Sequence, residues 1–208
     1  MQKGISREHA VATALELLND VGLDGLTVRR LADRLEVKAP ALYWHFSNKQ
    51  DLLDEMGTQI WRRIVSESDF AGDWRSGMKT FACVLRSTLL SYRDGAKLFS
   101  GTFLTDPAIL AAQEEPLSRL VDAGFSVESA VDASYTLYSF VVGATIEEQS
   151  VRQAPDNRYA LTERERRLDP AANPLMTEAG RLTFGTPDQR FDRILDRLLD
   201  AFEGWKSA

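Results

Sequence analysis

The sequence predicts an all-α protein, a small N-terminal helix-turn-helix head followed by a larger helical domain. Three observations predict it. Apolar residues recur at i, i+3, i+4 and i+7 behind residues suited to cap a helix. Within the first fifty residues, two short helical segments joined by a tight turn follow a longer first helix. Two long helical stretches, residues 127–149 and one opening at Thr186, occupy the C-terminal part.

Composition sets the frame. The chain has 208 residues, enough for one or two domains with a core, and its 44% apolar and 27% charged content is ordinary globular composition. One cysteine, Cys83, excludes an intrachain disulfide and a cysteine metal cluster. The longest apolar run, roughly 137–146, is interrupted by Tyr138, Ser139 and Gly143 and is too short to span a membrane. The N-terminus lacks a secretory apolar stretch, so a cytoplasmic protein with no membrane partner is expected. The net charge of −6 argues against sequence-blind nucleic-acid binding, but it is uneven. Residues 1–50 hold seven Lys/Arg and six Asp/Glu, whereas the other 158 hold 18 and 25. Only the first fifty residues are not repelled by an anionic partner.

The elements follow in order. Ser6 suits an N-cap, Val11, Ala14, Leu15 and Leu18 form the first apolar stripe, and Gly22 stops that helix. Thr27 caps a second segment whose apolar face is Val28, Leu31, Ala32 and Leu35. After the turn Glu36-Val37-Lys38, Pro40 suits the first turn of a third helix running through Phe46. Ser47 begins a fourth, with Gln50 completing a capping box, and its stripe is Leu52, Leu53, Met56, Ile60 and Ile64. The helix-turn-helix is expected at about 27–46, the connecting helix at 47–67, and the two domains at 1–50 and 68–208. Such a unit places its second short helix in a DNA major groove.

Tyr43, Trp44, His45 and Phe46 put four rings on one short helix. At about 100° per residue, Leu42 and Phe46 share the inward face, Tyr43 and His45 flank it, and Trp44 points away. Those outward rings either pack on a neighbouring segment or meet a phosphate backbone, with Lys49 nearby in the first turn of the next helix.

The stretch LTVRRLADRLEVKAPALYWHFSNKQDLLDEM resembles the DNA-binding domain of the TetR family of transcriptional repressors. The YWHF tetrad, the L-T-x-R-x-L-A opening and N-K-x-x-L-L-D carry the likeness. SYRDGAKLFSGT at 91–102, DAGFSVESAV at 122–131 and VGATIEEQ at 142–149 resemble the family's tetracycline-responsive subgroup. The resemblance implies a ligand-responsive repressor, a homodimer on near-palindromic double-stranded operator DNA that a small effector releases. The apolar middle of the chain and its departures from the subgroup point to a hydrophobic effector. The resemblance assigns Thr27, Val28, Arg29, Lys38, Ala39, Pro40, Ala41, Tyr43, Trp44, His45 and Lys49 to DNA. Ala39 and Ala41 cannot hydrogen-bond a base edge, so Arg29 is the expected guanine reader. Glu36 stands where the family has Gly in the turn, at a cost of about 1 kcal/mol if its φ is positive.

The resemblance also implies a four-helix dimer bundle built from the helix at 127–149 and the last helix. Leu195, Leu198 and Phe202 are the expected contacts, with Ala130, Ala133, Ser134, Gly143 and Ala144 permitting close approach. Packing of both helices within one subunit is the alternative. Effector contacts are expected at Val65, Phe81, Leu85, Phe99, Thr102, Pro116, Ser139 and Glu147. The charged, proline-bearing residues 150–186 are expected to be a mobile excursion over that region. Phe99 stands where the subgroup has a metal-ligating His, and only Thr102 and Glu147 retain its polar contacts. No metal and no cofactor are therefore expected, which disfavours a metal-dependent tetracycline response. No catalytic constellation is visible, because His9 and His45 both lie in the head and Glu147 and Glu148 diverge on a helix. A helical protein-interaction module without DNA binding is the remaining alternative.

Overall fold

The computed structural model describes residues 5–70, 72–154, 156 and 158–206. Residues 1–4 and 207–208 of the two expected domains lie outside the described residues. Twelve helices are found, with no strand among the described residues. They are α1 Arg7–Gly25, α2 Val28–Arg34, α3 Ala39–Leu42, α4 Lys49–Glu67, α5 Trp74–Leu90, α6 Gly95–Phe99, α7 Pro107–Ala111, α8 Glu114–Asp122, α9 Val127–Arg152, α10 Leu161–Arg166, α11 Pro174–Thr183 and α12 Pro187–Glu203. None is long and apolar enough to cross a membrane.

Local chemistry explains where the head's helices begin and end. The Ser6 hydroxyl accepts from the His9 N–H, and the Thr27 hydroxyl from the Arg30 N–H. Gly22 breaks α1 at φ 71°, a conformation open to glycine, so the last turn to Gly25 is a separate kinked piece. The start of α4 differs from the sequence reading. Asn48, not Ser47, is the cap and accepts from the Asp51 N–H, while Asp51 reaches back to the Ser47 N–H. Gln50 bonds Asp54 instead. The third helix is also shorter than expected. It ends at Leu42, and Tyr43 to His45 continue as a turn, tied by bonds from the His45 and Phe46 N–H groups to the Leu42 carbonyl.

In the head α1 packs on both α4 and α2, and α2 packs on α3, burying Leu18, Leu26, Leu31, Leu42, Phe46 and Leu52. The C-terminal half of α4 enters the larger domain, where α5 and α9 form the most extensive helix pair. Arg86 on α5 locks α9 and α12 by pairing with Glu148 at 2.8 Å and Asp188 at 2.6 Å. Pro187 opens α12 as expected, but the Thr186 side chain makes no cap bond. Residues 150–186 are not featureless. They carry α10 and α11, which pack on each other where Gly180 meets Arg164 and Leu161.

Candidate DNA-contacting face and effector cavity

On the head, burial of Leu42 and Phe46 forces the rings between them outward. Trp44 is 89% exposed and Tyr43 56%, while His45 is half-buried against Phe46. Arg29, Lys38 and Lys49 are exposed and engage no partner among the described residues, in contrast to Arg34, which pairs with Asp20 at 2.5 Å. Arg30 is spent on the Gly25 carbonyl at 3.0 Å. Thr27 and Pro40 are exposed, and Ala39 and Ala41 are half-buried. Val28 packs against the core and presents only part of its surface. Glu36 adopts φ 56°, so the turn between α2 and α3 does hold a non-glycine residue in the left-handed region.

The larger domain holds a cavity of about 480 Å³, lined by α4, α5, the loop after α6, α8 and α9. That volume suits a drug-sized ligand. Its wall is aromatic because α4, α5 and α9 each turn a ring inward. Trp61 lies parallel to Tyr138 at 6.3 Å (7° between planes) and near-parallel to Phe81 at 6.2 Å. Phe70 and Trp74 extend the wall, with Met78, Leu104, Leu117 and Leu120 between them. Two charged residues reach the lining, and both are engaged. Asp73 caps α5 by accepting from the Ser76 N–H at 2.7 Å, and Arg119 pairs with Glu115 at 2.6 Å. The Ser68 hydroxyl, also on the lining, is buried without a hydrogen-bond partner. Burial pushes the Tyr138 hydroxyl above its ordinary pKa, keeping that phenol neutral.

Of the eight residues expected at the effector, Val65, Phe81, Thr102 and Pro116 line this cavity. The other four do not. Leu85 is wholly buried core, and Phe99 sits behind the wall, its ring 5.1 Å from Trp61. Ser139 and Glu147 are exposed on the opposite face of α9, because the wheel carries 139, 143 and 147 away from Leu137 and Tyr138. Among the described residues, the segment 150–186 contributes none to the lining. Sequence reasoning missed Trp61, Ser68, Phe70, Trp74 and Tyr138; aromatic residues three or four positions from the buried stripe on α4 and α9 were the available signal.

The expected dimer contacts also need revision. Leu195 and Phe202 are wholly buried within their own chain, packed toward α5 and α9, and only Leu198 is half-exposed. Ala130 and Ala133 are likewise internal. Ile194 on α12 is exposed and Gly143 on α9 faces open space, whereas the exposed Val131 and Tyr135 of α9 border the cavity. Among the described residues, no group of three His, Cys, Asp or Glu side chains is arranged to hold a metal ion.

Comparison with known proteins agrees with both halves. Residues 10–56 match the family of bacterial regulatory proteins called the tetR family, and residues 68–204 match the tetracyclin repressor-like C-terminal domain. The class C tetracycline repressor protein of Escherichia coli is 40% identical over 205 residues, 96% of this chain and 91% of that protein. Among solved structures, a possible TetR family transcriptional regulator from Streptomyces coelicolor A3(2) superposes with a TM-score of 0.85 at 34% identity, covering 96% of this chain and 99% of that one. A class A TetR in complex with 5a,6-anhydrotetracycline and magnesium gives 0.70 at 34% identity, covering 94% and 96%. An exposed helix-turn-helix face, a ligand-sized cavity reached by the same connecting helix, and these matches make the chain a member of the TetR family, a ligand-responsive transcriptional repressor that binds operator DNA as a homodimer.

Proposed function

We propose that this repressor is cytoplasmic and non-enzymatic, that residues 1–50 read a near-palindromic operator, and that an uncharged, flat, hydrophobic effector entering the cavity releases it. Arg29 is assigned to a base edge and Lys38 to a base or phosphate, since both are exposed cations with no partner among the described residues. Tyr43, Trp44 and Lys49 are assigned to the sugar-phosphate backbone. The second copy is assigned to the outward face of α9 and α12, where Ile194, Leu198 and the open side of Gly143 leave room for close helix approach.

One observation carries the effector reading: the cavity wall is made of rings, and its two charged residues are already satisfied. An ionic ligand would leave its charge unpaired there, which is costly in an apolar site. Parallel faces of Trp61, Phe81 and Tyr138 favour a planar ligand. The unpaired Ser68 hydroxyl supplies one polar contact for a ligand oxygen. Phe99 stands where the resemblance implies a metal-ligating His, its ring lies behind Trp61, and no imidazole lines the cavity to anchor a metal chelate. Selecting an operator from random double-stranded DNA, then screening neutral polycyclic compounds and tetracycline, with and without Mg²⁺, for operator release tests this. Release by tetracycline only when Mg²⁺ is present would overturn it.

A further inference from the structure

A buried carboxylate is costly unless its lone pairs are filled. Glu55, on the inner face of α4, is 8% exposed and takes bonds from three separate parts of the chain. Its Oε2 accepts from Arg7 of α1 at 3.1 Å and from the Thr105 hydroxyl at 2.8 Å, and its Oε1 accepts from Arg62 at 3.0 Å. Burial pushes the carboxyl pKa up, but the bonds from Thr105, Arg62 and Arg7 outweigh it and hold the pKa below its ordinary value. Glu55 is therefore ionised at neutral pH.

The arms of this cluster lead in opposite directions. Arg7 also donates to the His45 carbonyl, pairs with Asp51 at 3.2 Å, and lies 4.8 Å over the Phe46 ring. It thus grips the turn that presents Tyr43 and Trp44. On the other side, residues 102–106 lie flat on α4. The Phe103 N–H donates to Asp54 at 3.2 Å and the Thr105 N–H to the Thr58 hydroxyl at 3.0 Å. Thr102 presses on Gly57 so closely that a Cβ there would meet its hydroxyl at 2.2 Å. Arg62 closes the loop through Asp106 at 2.9 Å. Thr102 and Leu104 face the cavity, whereas Thr105 faces Glu55 and is not part of the lining.

We infer that Glu55 is a positioning residue that couples the cavity rim to the DNA-contacting turn. Residues 104 and 105 are adjacent along the chain, so a ligand that displaces Leu104 pulls on the Thr105 hydroxyl. The carboxylate it leaves then rebalances between Arg62 and Arg7. Arg7 carries that change to the carbonyl of His45. No contact between ligand and head is needed. This rests on the operator-binding reading above, and the test separates the two.

Full-length protein is titrated against the selected palindrome and against scrambled DNA, for wild type, Thr105→Val, Thr105→Ser, Glu55→Gln and the double variant Thr105→Val/Glu55→Gln. Thr105 touches neither DNA nor the cavity, and valine matches its shape without the hydroxyl. Thr105→Val and Glu55→Gln are each expected to shift operator affinity at least fivefold with scrambled-DNA affinity within twofold of wild type. Thr105→Ser should restore wild-type affinity, and the double variant should be no further shifted than Glu55→Gln alone. Circular dichroism of Thr105→Val should match wild type, which separates coupling from misfolding. Wild-type affinity in Thr105→Val, failure of serine to rescue, or effects that multiply in the double variant would overturn the coupling role. Wild-type protein that binds no palindrome removes the operator reading itself.

Discussion

Asp94 accepts a hydrogen bond from the backbone N–H of Leu23 at 3.0 Å, joining the turn before α6 to the kink that ends α1. Both sides of this joint are conformationally special. Asp94 sits at φ 55° and Gly22, immediately before Leu23, at φ 71°. Arg93 reinforces it, its N–H donating to Asn19 and its guanidinium to the Asp20 carbonyl. Behind the turn, the Gln149 side chain of α9 donates to the carbonyls of Leu89 and Tyr92 and accepts from the Ala96 N–H. The head is therefore attached to the larger domain at a second place besides α4.

That joint predicts the effect of filling Gly22. A Cβ there would lie 2.9 Å from an Asp94 oxygen and 3.1 Å from Arg93, on a backbone that L residues adopt reluctantly. Gly22→Ala should destabilise the protein by at least about 1 kcal/mol, beyond the small gain from a stiffer unfolded chain. Urea denaturation checks this, and a midpoint equal to wild type would mean the joint rearranges without cost.

The opposite change is expected at Glu36. Its left-handed backbone costs roughly 1–2 kcal/mol in an L residue, and glycine returns part of that gain as unfolded-chain entropy. Glu36→Gly should stabilise by about 0.5–1 kcal/mol, a thermal midpoint rise of a few degrees. It also removes a negative charge two residues from Lys38, so operator affinity should rise most at low salt. A lower thermal midpoint would show that the Glu36 side chain has a role the backbone argument omits.

Acid should loosen the attachment of the head. The pKa of Glu55 lies below its ordinary 4.5, and that of Asp51 is lowered chiefly by the Ser47 N–H it accepts. For groups whose folded pKa is depressed, the stabilisation is fully present above the unfolded value and fades as pH falls through the folded one. Urea midpoints should therefore be insensitive to these groups from pH 7 to about 5 and drop below about 4.5. Glu55→Gln should flatten that drop, and an identical acid limb in the variant would remove Glu55 from it.

How much of this was legible depends on whether one element or two decide a feature. Ser6, Thr27 and the Leu42–Phe46 pair act within a single helix or turn, and periodicity with capping chemistry placed them. The start of α4 was offset because Ser47 and Asn48 are both competent caps; the Asp51 carboxylate bonded to the Ser47 N–H goes with the choice of Asn48. Leu195 and Phe202 show the wider limit. A wheel identifies them as apolar, but only the packing of α12 on α5 and α9 reveals that its own chain buries them. The same holds for Phe99, whose ring lies behind Trp61 instead of facing the cavity. Trp61 and Tyr138 went unread because no local rule brings α4 and α9 together.

The revised dimer face makes a sharper test than the residues first expected there. A charge at Leu195 or Phe202 would unfold the subunit, since both are wholly buried in it. Ile194 is 38% exposed, so Ile194→Asp should leave the helical content intact while converting a dimer of twice 23.3 kDa to monomer. Light scattering with circular dichroism reads both. A folded Ile194→Asp protein that stays dimeric would place the second copy elsewhere.

On the head, Arg29 and Trp44 should fail in different ways. Removing a base reader relaxes one position of the operator, a discrimination of about 1–3 kcal/mol, and leaves other sequences bound as before. Removing a backbone contact weakens all sequences alike, and losing a cation also lowers the salt slope. Arg29→Ala should therefore lose affinity on the selected operator and little on scrambled DNA. Trp44→Ala should lose on both, with an unchanged salt slope because indole carries no charge. Lys49→Ala should lose on both and reduce the slope by about one. Titrations at several salt concentrations on the two DNAs separate all three cases. Equal loss on both DNAs for Arg29→Ala would move base reading to Lys38, the other exposed cation of this face that has no partner among the described residues and is not assigned to the backbone alone.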